Sequence, residues 1–309
     1  MKISVAMASY NGADFILEQL DSIINQTRKV DEIIICDDGS SDNTFDVVTD
    51  YIKNNQLENL ITLVKNEKNL GYASNFFKAI SMTTGDYIFF SDQDDIWVKD
   101  KVSNMIEVME GNEKIDLLCS EFETFISSDD APRPSHEATK SFTNNKETVK
   151  LSFNPSNIFI GCEGCCMLIR KSFFDKVKEY WYPGFAHDEF FWKMALCRDG
   201  LYFYHGVTLR RRLHSNNVTM HKMRDLNKRI KFLEDLKKSH EQTLKFVKDT
   251  DNDINKVILL KRNIKATALR IEILRDKKLL NTIPLIFKYR DCYHSRKSIP
   301  VELMMGIKG

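Results

Sequence analysis

Three acidic side chains stand close together in one short stretch of this sequence. Asp92, Asp94 and Asp95 follow an apolar, aromatic run, residues 87–91, that predicts a buried strand. Carboxylates this close raise one another's pKa unless something neutralises them, and hard oxygen ligands at a strand end suit Mg²⁺ or Mn²⁺ carrying a phosphate. A second interpretation is that Asp94 or Asp95 caps a helix that begins near Lys99. The stretch is therefore expected to hold a divalent cation or to start a helix.

The elements that would position these carboxylates alternate along the first hundred residues. Apolar runs predict strands at residues 3–8, 32–36, 61–64 and 87–91, and amphipathic stretches predict helices near 16–24, at 44–52 and at 72–82. Strands that alternate with helices at this rhythm imply parallel βαβ units with right-handed crossovers. The predicted fold class is therefore α/β, with a Rossmann-like, doubly wound, mostly parallel sheet flanked by helices.

Polar loops follow three of the predicted strands. The first contains Ser9, Tyr10 and Asn11, the second is residues 37–40, and the third is residues 92–95. Because ligands of open α/β sheets bind outside the carboxyl ends of the strands, these loops predict one ligand site. The sequence contains neither GxGxxG nor GxxxxGK[ST], so neither a dinucleotide fingerprint nor a P-loop explains the sheet.

A nucleotide would therefore be held by side chains of these loops. Tyr10 is expected to lie against the base, and Asp38 is expected to accept a hydrogen bond from a base N–H. Asp92 would bind ribose hydroxyls while Asp94 holds the metal. For Asp38 the alternative is a turn residue that caps the following helix.

The three loops together carry a resemblance to a known family. The segments Ser9–Gly12, Asp37–Asp42 and Asp92–Trp97, in this order, resemble the nucleotide-sugar domain of family 2 glycosyltransferases with the GT-A fold. The DQDDIW form of the third segment is similar to the rhamnosyltransferase-like branch, which builds bacterial polysaccharide and O-antigen chains. The resemblance implies an inverting, metal-dependent transfer of a sugar from a nucleoside diphosphate to a hydroxyl of a lipid-linked or growing cell-surface polysaccharide.

The resemblance also implies a catalytic base. The family places this base in an acidic pair before an aromatic helix, where Asp188 matches the base and His187 its neighbour. Glu189 replaces the tryptophan usual in this branch and stays open as an alternative base or an acceptor ligand. Residues 158–161 and 164–170 look like the strand that lines the acceptor cleft. From the residues alone, the alternative for Asp188 is a helix cap.

A basic segment follows in the resembling branch and closes over the diphosphate. Arg212, His214 and Asn217 occupy the corresponding positions of an R-x-H-x-N-N pattern. A guanidinium beside a phosphate is a strong, charge-assisted pairing. The alternative for the three consecutive arginines at 210–212 is a solvated surface.

Several alternatives remain open for the reaction. The resemblance favours dTDP-L-rhamnose as the donor, with a UDP-hexose as the other candidate, and Mn²⁺ or Mg²⁺ as the cofactor. A nucleotidyltransferase that makes sugar nucleotides would carry a glycine-rich, basic phosphate loop after the first strand, and the first loop here lacks one. A catalytically inactive binding subunit is the third alternative.

Charge divides the chain into two regions. Residues from Met220 onward contain 22 Lys and Arg against 11 Asp and Glu, whereas the first 219 residues contain 23 against 33. We expect a catalytic domain at residues 1–219 and a basic, helical C-terminal region at 220–309. This region predicts contact with an anionic bilayer or with a second subunit in a homo-oligomer. It lacks the aromatic interleaving of a nucleic-acid module, so no nucleic-acid partner is expected.

Cysteine usage and hydropathy predict the compartment. Seven cysteines without regular spacing do not form a disulfide framework, which favours a reducing cytoplasm. Cys162, Cys165 and Cys166 are expected to be buried strand thiols rather than zinc ligands. Residues 1–10 indicate a strand and not a signal peptide, and no run reaches the ~18 apolar residues of a membrane span. The expected location is cytoplasmic, peripheral on the inner face of the plasma membrane.

Overall fold

The computed structural model describes residues 1–128, 130–131, 139, 141–215, 225–295 and 298–308. The predicted site residue Asn217 and the predicted domain boundary after residue 219 lie outside this part of the chain. Two compact units are present. Unit 1 comprises Met1–Leu151, Gly161–Ala195 and Asp199–Asn217, and unit 2 comprises Ser152–Ile160, Leu196–Arg198 and Val218–Gly309.

A mixed, nine-stranded sheet forms the centre of unit 1 within the described residues. In chain order its strands are β1 Ile3–Ser9, β2 Glu32–Asp37, β3 Ile61–Lys65, β4 Tyr87–Ser91, β5 Ile96–Trp97, β6 Leu117–Ile126, β7 Thr148–Lys150, β8 Leu168–Arg170 and β9 Leu201–Leu213. Their spatial order is β3-β2-β1-β4-β8-β6-β9-β5, and β7 pairs with β9. The first four strands and the β6–β9 pair are parallel, whereas β5, β7 and β8 run antiparallel to their neighbours. The predicted α/β, mostly parallel sheet is confirmed.

The described helices follow the predicted alternation and then dominate the C-terminal part. They are α1 Ile16–Ile24, α2 Thr44–Asn54, α3 Tyr72–Met82, α4 Lys101–Gly111, α5 Lys171–Val177, α6 His187–Cys197, α7 Leu226–Asp249, α8 Ile254–Asp276, α9 Thr282–Phe287 and α10 Ser298–Lys308. Short 3₁₀ turns occur at Gly164–Cys166, Lys178–Tyr180 and Leu279–Asn281. Among the described helices, none combines the length and the apolar character needed to cross a membrane.

Alternating apolar residues of the central strands build the core of unit 1. Val5 and Met7 of β1, Ile33 and Ile35 of β2 and Phe89 of β4 are fully buried in one cluster with the apolar faces of α1, α2 and α4. Full burial of such a side chain is worth about 1.5–3 kcal/mol relative to exposure. The period of two along each strand therefore fixes which face carries the helices.

The strand register aligns the loops that carry the polar residues. Ser9 pairs with Asp37 in the β1–β2 ladder, and Met7 pairs with Ser91 in the β1–β4 ladder. Because these strands are parallel, the loops that follow them emerge at the same edge of the sheet. The fold thus brings the three predicted loops together.

The acidic stretch precedes a short strand and not a helix. Ile96 of β5 pairs with Arg210 of β9, and α4 begins only at Lys101, with Asp100 at its N-cap position. Asp94 and Asp95 therefore do not cap α4. The β5–β9 ladder instead holds the basic end of β9 next to the acidic loop.

The segment expected as a long strand near residues 158–170 is mostly irregular. Only Leu168–Arg170 form β8, and Gly164–Cys166 form a 3₁₀ turn in which Met167 N donates to Gly164 O at 3.0 Å. Fully buried Lys101 explains the difference, because its Nζ donates to the Cys165 carbonyl at 2.7 Å. This hydrogen bond replaces a ladder partner for that carbonyl.

Unit 2 is helical in its described part. Buried residues of α8, α9 and the segment after α9 form a small core of Ala266, Leu269, Ile273, Leu285, Tyr289, Cys292 and Tyr293. Buried Glu302 of α10 pairs with Arg229 of α7 at 2.5 Å and with Arg270 of α8 at 2.7 Å. The predicted C-terminal helical region is confirmed, with α10 tied to α7 and α8 through one carboxylate.

Candidate active site

The acidic loop after β4 encloses its carboxylates. Half-buried Asp92, buried Asp95 and the Cys165 thiol offer ligand atoms that all lie within 4.8 Å of one another. Burial, together with the charges of Asp95 and Asp94, raises the pKa of Asp92 well above its usual value. Burial and the charge of Asp94 raise the pKa of Asp95 to about 7. The carboxylates therefore repel one another near neutral pH unless a proton or a cation neutralises them.

The donor set of this loop fits a hard divalent cation. Asp95 Oδ1 accepts a hydrogen bond from the Arg212 backbone N–H at 3.1 Å, but its buried Oδ2 has no hydrogen-bond partner among the described residues. An orphaned buried carboxylate oxygen is costly, and a cation would satisfy it. A hydrogen bond with Cys166, together with burial, raises the pKa of the Cys165 thiol well above its usual value. The charged donors are therefore carboxylates, which suit Mg²⁺ or Mn²⁺.

Asp94, the predicted metal ligand, contacts the end of β9 and the residue after it. Its Oδ2 lies 2.8 Å from His214 Nε2, and its backbone carbonyl accepts a hydrogen bond from Arg212 Nε at 2.9 Å. The His214 ring packs on Phe15 with centroids 4.6 Å apart. The structure thus brings the predicted metal residue next to two of the three predicted diphosphate residues.

Arg212 is buried, unlike the solvated arginine that the sequence left as an alternative. Its guanidinium forms an ion pair with Glu18 of α1. The same group lies over the rings of Phe15 at 5.1 Å and Phe125 at 4.7 Å. These contacts fix the end of β9 against α1 and the acidic loop.

Arg211 and Glu163 form an ion pair that the sequence did not single out. Arg211 Nη1 donates to Glu163 Oε1 at 2.8 Å. Burial alone would lower the pKa of Arg211, but the charges of Glu163 and other neighbouring groups raise it overall. Arg211 stays cationic, and its charge offsets part of the upward shift in the pKa of Asp92.

Tyr10 presents a half-exposed ring on a fixed backbone. The Gln93 side chain accepts from Tyr10 N at 2.9 Å and donates to Tyr10 O at 3.0 Å. A Cβ at Gly12 would lie 2.1 Å from Gln93 Oε1, so a side chain there would displace Gln93 from Tyr10. An exposed amphipathic ring in a loop at the carboxyl ends of the strands is a suitable platform for a nucleotide base. Gln93, which the sequence did not single out, links the first loop to the third.

Ser9 and Asn11 connect the end of β1 to the end of β2 and the loop after it through hydrogen bonds. Ser9 Oγ donates to Asp37 Oδ2 at 3.3 Å, and Asn11 Oδ1 accepts from Ser41 N at 2.8 Å. Asn11 adopts a φ of 48°, in the left-handed region that asparagine tolerates better than most residues. Both residues therefore shape the turn after β1.

Asp38 is buried and receives hydrogen bonds from the loop before α3. Its carboxylate accepts from Leu70 N at 2.8 Å, from Gly71 N at 2.9 Å and from Asn66 Nδ2 at 2.8 Å. The Asp38 carboxylate therefore holds a turn. This agrees with the alternative in which Asp38 is a turn residue. Asp38 begins the loop after β2, at the edge where the parallel strands end, and Tyr10 is in the preceding loop, after β1.

The predicted base lies at the start of α6. Burial, with the charges of Glu189 and Glu163 as smaller contributions, raises the pKa of Asp188 to about 7, although the Glu189 N–H donates to Asp188 Oδ1 at 2.7 Å. Glu189 forms an ion pair with buried Lys193, with Nζ and Oε1 2.5 Å apart. The two carboxylates therefore differ, because Glu189 has a fixed cationic partner one turn along the helix.

His187 lies inside an aromatic cluster. Its ring stacks on Phe76 at 4.0 Å and meets Phe90 and Tyr72 edge-on. Burial lowers the pKa of His187 to about 3, and neither ring nitrogen has a hydrogen-bond partner among the described residues. His187 is a neutral ring near neutral pH, which suits packing better than proton transfer.

The segment Glu163–Cys166 joins the acidic loop to the predicted base. A Cβ at Gly164 would lie 2.7 Å from His187 Nε2 and 3.4 Å from the Cβ of Asp188. The neighbouring residue Cys165 belongs to the cluster with Asp92 and Asp95. The charge of Glu163 raises the pKa of both Asp92 and Asp188. One short segment thus adjoins both the acidic cluster, through Cys165, and the carboxyl-bearing residue Asp188, through Gly164.

A protein-family model matches the part of the chain that contains the acidic loop and the loops beside it. The model described as glycosyl transferase family 2 matches residues 4–178, which contain β2 to β8, all of β1 except Ile3, and the three polar loops after β1, β2 and β4. The matched part is more than half of the chain. It ends before the predicted base at Asp188.

Curated relatives match a shorter part. The chain is 40% identical over 108 residues to UDP-Glc:alpha-D-GlcNAc-diphosphoundecaprenol beta-1,3-glucosyltransferase WfaP of Escherichia coli, covering 35% of this chain and 41% of that protein. It is 41% identical over 109 residues to dTDP-rhamnosyl transferase RfbG of Shigella flexneri, covering 33% and 36%. The matches therefore span about two fifths of the length of these relatives.

A solved structure shares the fold over nearly the whole chain. The structure of Staphylococcus aureus TarS 1–349 in complex with UDP-GlcNAc superposes with a TM-score of 0.64 at 17% identity, covering 94% of this chain and 77% of that chain. The complex of the same protein with UDP gives a TM-score of 0.63 at 16% identity, covering 100% and 88%. At this identity the likeness concerns the fold.

Proposed function

The chain belongs to glycosyl transferase family 2, and from this premise we propose that it transfers one sugar from a nucleoside diphosphate donor to a hydroxyl of a lipid-linked or growing cell-surface glycan, with inversion at the anomeric carbon. One observation carries the proposal. The acidic cluster of Asp92 and Asp95 adjoins Cys165, and Asp188 lies next to the neighbouring residue Gly164. A donor diphosphate and an acceptor hydroxyl need these two kinds of group close to each other.

A divalent cation, Mn²⁺ or Mg²⁺, is part of the proposal. Asp94 would hold it, and the cluster of Asp92, Asp95 and Cys165, which does not include Asp94, offers further ligands that include the orphaned Oδ2 of Asp95. When bound, such a cation neutralises charge on the leaving diphosphate. His214 keeps the Asp94 carboxylate in place through their 2.8 Å contact.

Asp188 is the proposed base. Its pKa of about 7 means that a large share of the side chain is ionised near neutral pH while it remains basic enough to take a proton. It would accept the proton of the acceptor hydroxyl as that oxygen attacks the sugar from the face opposite the leaving group. Glu189 is the less suitable base because Lys193 neutralises it, and His187 packs beside Asp188.

The remaining site residues are proposed to bind the donor. Tyr10 offers its exposed ring to the base, with Ser9, Asn11 and Asp38 shaping the surrounding turns. Asp92 would meet the ribose. On the diphosphate side Arg212 and His214 supply the cationic or donor groups, and Asn217 keeps the role that the resemblance implies.

The donor is proposed to be dTDP-L-rhamnose, with a UDP-hexose as the second candidate. Relatives named for a UDP-glucose and for a dTDP-rhamnose reaction match this chain at 40% and 41% identity over segments of almost equal length. Identity therefore does not separate the two donors. The name of the first relative also supports a lipid diphosphate acceptor, and the seven free cysteines of this chain suit the cytoplasmic face of the plasma membrane.

A thermal-shift panel tests the proposal. A ligand that binds only the folded protein raises Tm by an amount that grows with its concentration over Kd. We expect dTDP-rhamnose, or else a UDP-hexose, to raise Tm in the presence of Mn²⁺ and much less in EDTA. The stabilising donor is then incubated with a short-chain lipid-diphosphate sugar, and the product is identified by mass spectrometry. Binding without turnover would indicate an inactive subunit, and formation of a sugar nucleotide from a sugar phosphate would indicate a nucleotidyltransferase.

A further inference from the structure

Apolar side chains that face solvent are concentrated at the end of unit 2. Among the described residues 17 large hydrophobic side chains are exposed, and 8 of them lie between Leu279 and Ile307. This segment is about a tenth of the chain, so the concentration is several times the average. Isolated exposed apolar residues are normal, whereas a group on neighbouring elements marks an interaction surface.

The outward face of α10 is apolar because its polar and small residues face inward. Glu302 is buried against Arg229 and Arg270, and a Cβ at Gly306 would lie 2.8 Å from the carbonyl of Ile273. Residues three apart lie on one side of a helix. On the opposite side of α10 the exposed residues are Val301, Met304 and Ile307, at 49%, 54% and 60% exposure.

The neighbouring α9 and the turn before it expose a second apolar row. Leu285 of α9 is buried in the small core, while Ile283 and Phe287 are 55% and 84% exposed. Leu280, in the preceding 3₁₀ turn, is 79% exposed. Both α9 and this turn contact α10. We call the exposed residues Leu280, Ile283, Phe287, Val301, Met304 and Ile307 the terminal apolar patch.

Positive charge predominates around the terminal apolar patch. Residues 277–290 contain four Lys or Arg and no Asp or Glu. All four are exposed, and Lys278 pairs with Glu272 at 3.3 Å, which leaves Lys277, Lys288 and Arg290 for the rim of the patch. The single acidic residue of residues 298–308 is Glu302, whose carboxylate is buried between two arginines. Exposed Asp276 and Asp291 flank the segment, so residues 276–291 carry four cationic against two acidic side chains and the rim of the patch is net cationic.

We propose that the terminal apolar patch docks unit 2 on an anionic phospholipid bilayer. The apolar side chains would enter the boundary between headgroups and acyl chains, and Lys277, Lys288 and Arg290 would meet the phosphate groups. Charge favours the bilayer over a second copy of the chain, because a symmetric contact between two such patches would bring cationic rims together. The inference goes beyond the proposed sugar transfer and depends on the patch alone.

Vesicle flotation with the full-length chain tests the docking. We expect vesicles containing phosphatidylglycerol to bind at least ten times more protein than phosphatidylcholine vesicles, with weaker binding at 0.5 M salt. Ile283→Ser with Phe287→Ser should reduce binding to the anionic vesicles at least tenfold. Lys288→Gln with Arg290→Gln should remove most of the preference for anionic lipid. Both pairs are exposed, so neither should impair folding.

A matched control uses the same substitution at another exposed isoleucine of unit 2. Ile254 is 65% exposed and is the first residue of α8, whereas the patch elements follow the last residue of that helix. Ile254→Ser should bind vesicles like the wild type. Equal binding to neutral vesicles, no binding, or equal loss in Ile254→Ser overturns the proposal.

Measuring the oligomeric state distinguishes a bilayer from a second copy of the chain as the occupant of the patch. Sedimentation velocity that shows a dimer abolished by Ile283→Ser with Phe287→Ser, together with no vesicle binding, would assign the patch to a second copy and overturn bilayer docking. None of these readouts uses sugar transfer. Donor binding by a protein that ignores vesicles would leave the proposed function intact, and vesicle binding by a protein that binds no donor would leave the docking intact.

Discussion

His214 Nε2 lies 2.8 Å from Asp94 Oδ2, although the two residues are 120 positions apart in the chain. His214 in turn packs on Phe15, and the backbone carbonyl of Asp94 is held by Arg212. The carboxylate proposed to hold the cation therefore has a fixed orientation before any ligand arrives. Groups that orient a metal ligand typically contribute to metal affinity without touching the ion.

Replacing this histidine should weaken cation use more than donor recognition. His214→Ala removes the partner of Asp94, and loss of such an orienting group typically costs about 10–100-fold in metal affinity. We expect the Mn²⁺ concentration for half-maximal transfer to rise within that range. His214→Gln keeps a hydrogen-bond donor and should lose less. Equal Mn²⁺ requirements in all three proteins would show that the contact does not serve the cation.

Adding one methyl group at Gly164 should displace the proposed base. The new Cβ in Gly164→Ala would lie 2.7 Å from His187 Nε2 and in contact with the Cβ of Asp188. Overpacking of this kind costs about 1–3 kcal/mol, and it falls on the residue pair that begins α6. We expect at least a tenfold loss of transfer rate with little change in donor Kd.

The control for this substitution is Gly111→Ala. Beyond its chain neighbours and the backbone of its own helix, no atom lies within 4 Å of a Cβ at Gly111, so activity and stability should not fall below wild-type values. If both variants lose activity equally, the loss does not come from crowding at the base.

Removal of one buried charge should stabilise the cation-free protein. Asp95→Asn retains an oxygen for the Arg212 N–H and replaces the orphaned Oδ2 with an uncharged group. A gain of 1 kcal/mol corresponds to roughly 2–4 °C in Tm for a domain of this size. We expect Tm in EDTA to rise by a few degrees and the stabilisation by Mn²⁺ to shrink. A variant that melts lower in EDTA and responds fully to Mn²⁺ would show that Asp95 carries no unfavourable charge.

The pH dependence of transfer should show the titration of Asp188. Its pKa is raised to about 7, so the ionised, basic form is lost as pH falls through that value. We expect kcat/KM at saturating Mn²⁺ to fall tenfold per pH unit below about 6.5 and to level off above about 7.5. A profile that stays flat down to pH 5 would assign the base to a carboxylate with an ordinary pKa.

The raised pKa of Asp188 also lowers the free energy of unfolding at high pH. The unfolded carboxyl of Asp188 loses its proton near pH 3.8, whereas the folded one keeps it until about pH 7. Between these values the folded state binds more protons, so the contribution of Asp188 to stability falls as pH rises. Asp188→Asn should therefore be at least as stable as the wild type at pH 8.

Local patterns were sufficient to predict β1 to β4 and the polar loops after three of them, but they did not predict β5, β7 or β9. The apolar runs of β1, β2 and β4 and the turn residues after them reflect interactions within a few positions, and the register then follows from burial of alternate residues. The sequence showed which motifs are acidic and which are basic. It did not show which side chains of these motifs contact one another. The direct pairing of Asp94 with His214 is an example.

Features that depend on distant partners were missed. Lys101 is fully buried and holds the Cys165 carbonyl, yet a lysine at a helix start predicts a surface residue. Glu163 and Arg211 are 48 positions apart and are ordinary charges in sequence. A run of apolar and small residues at 164–170 predicts a strand, whereas residues 164–166 form a 3₁₀ turn whose Cys165 carbonyl accepts from Lys101, a partner 64 positions away.

The central claim is that Asp188 and the acidic cluster act in the same transfer reaction. Asp188 accepts the proton of the acceptor hydroxyl, and the acidic cluster serves the donor diphosphate through a cation. The most direct measurement compares transfer rate and donor affinity in Asp188→Asn with Mn²⁺ present. Loss of a general base typically lowers the rate about 10²–10⁴-fold, and donor Kd should stay within about threefold because the cation site is untouched. Retained transfer, or a collapse of donor binding in a folded variant, would contradict the account.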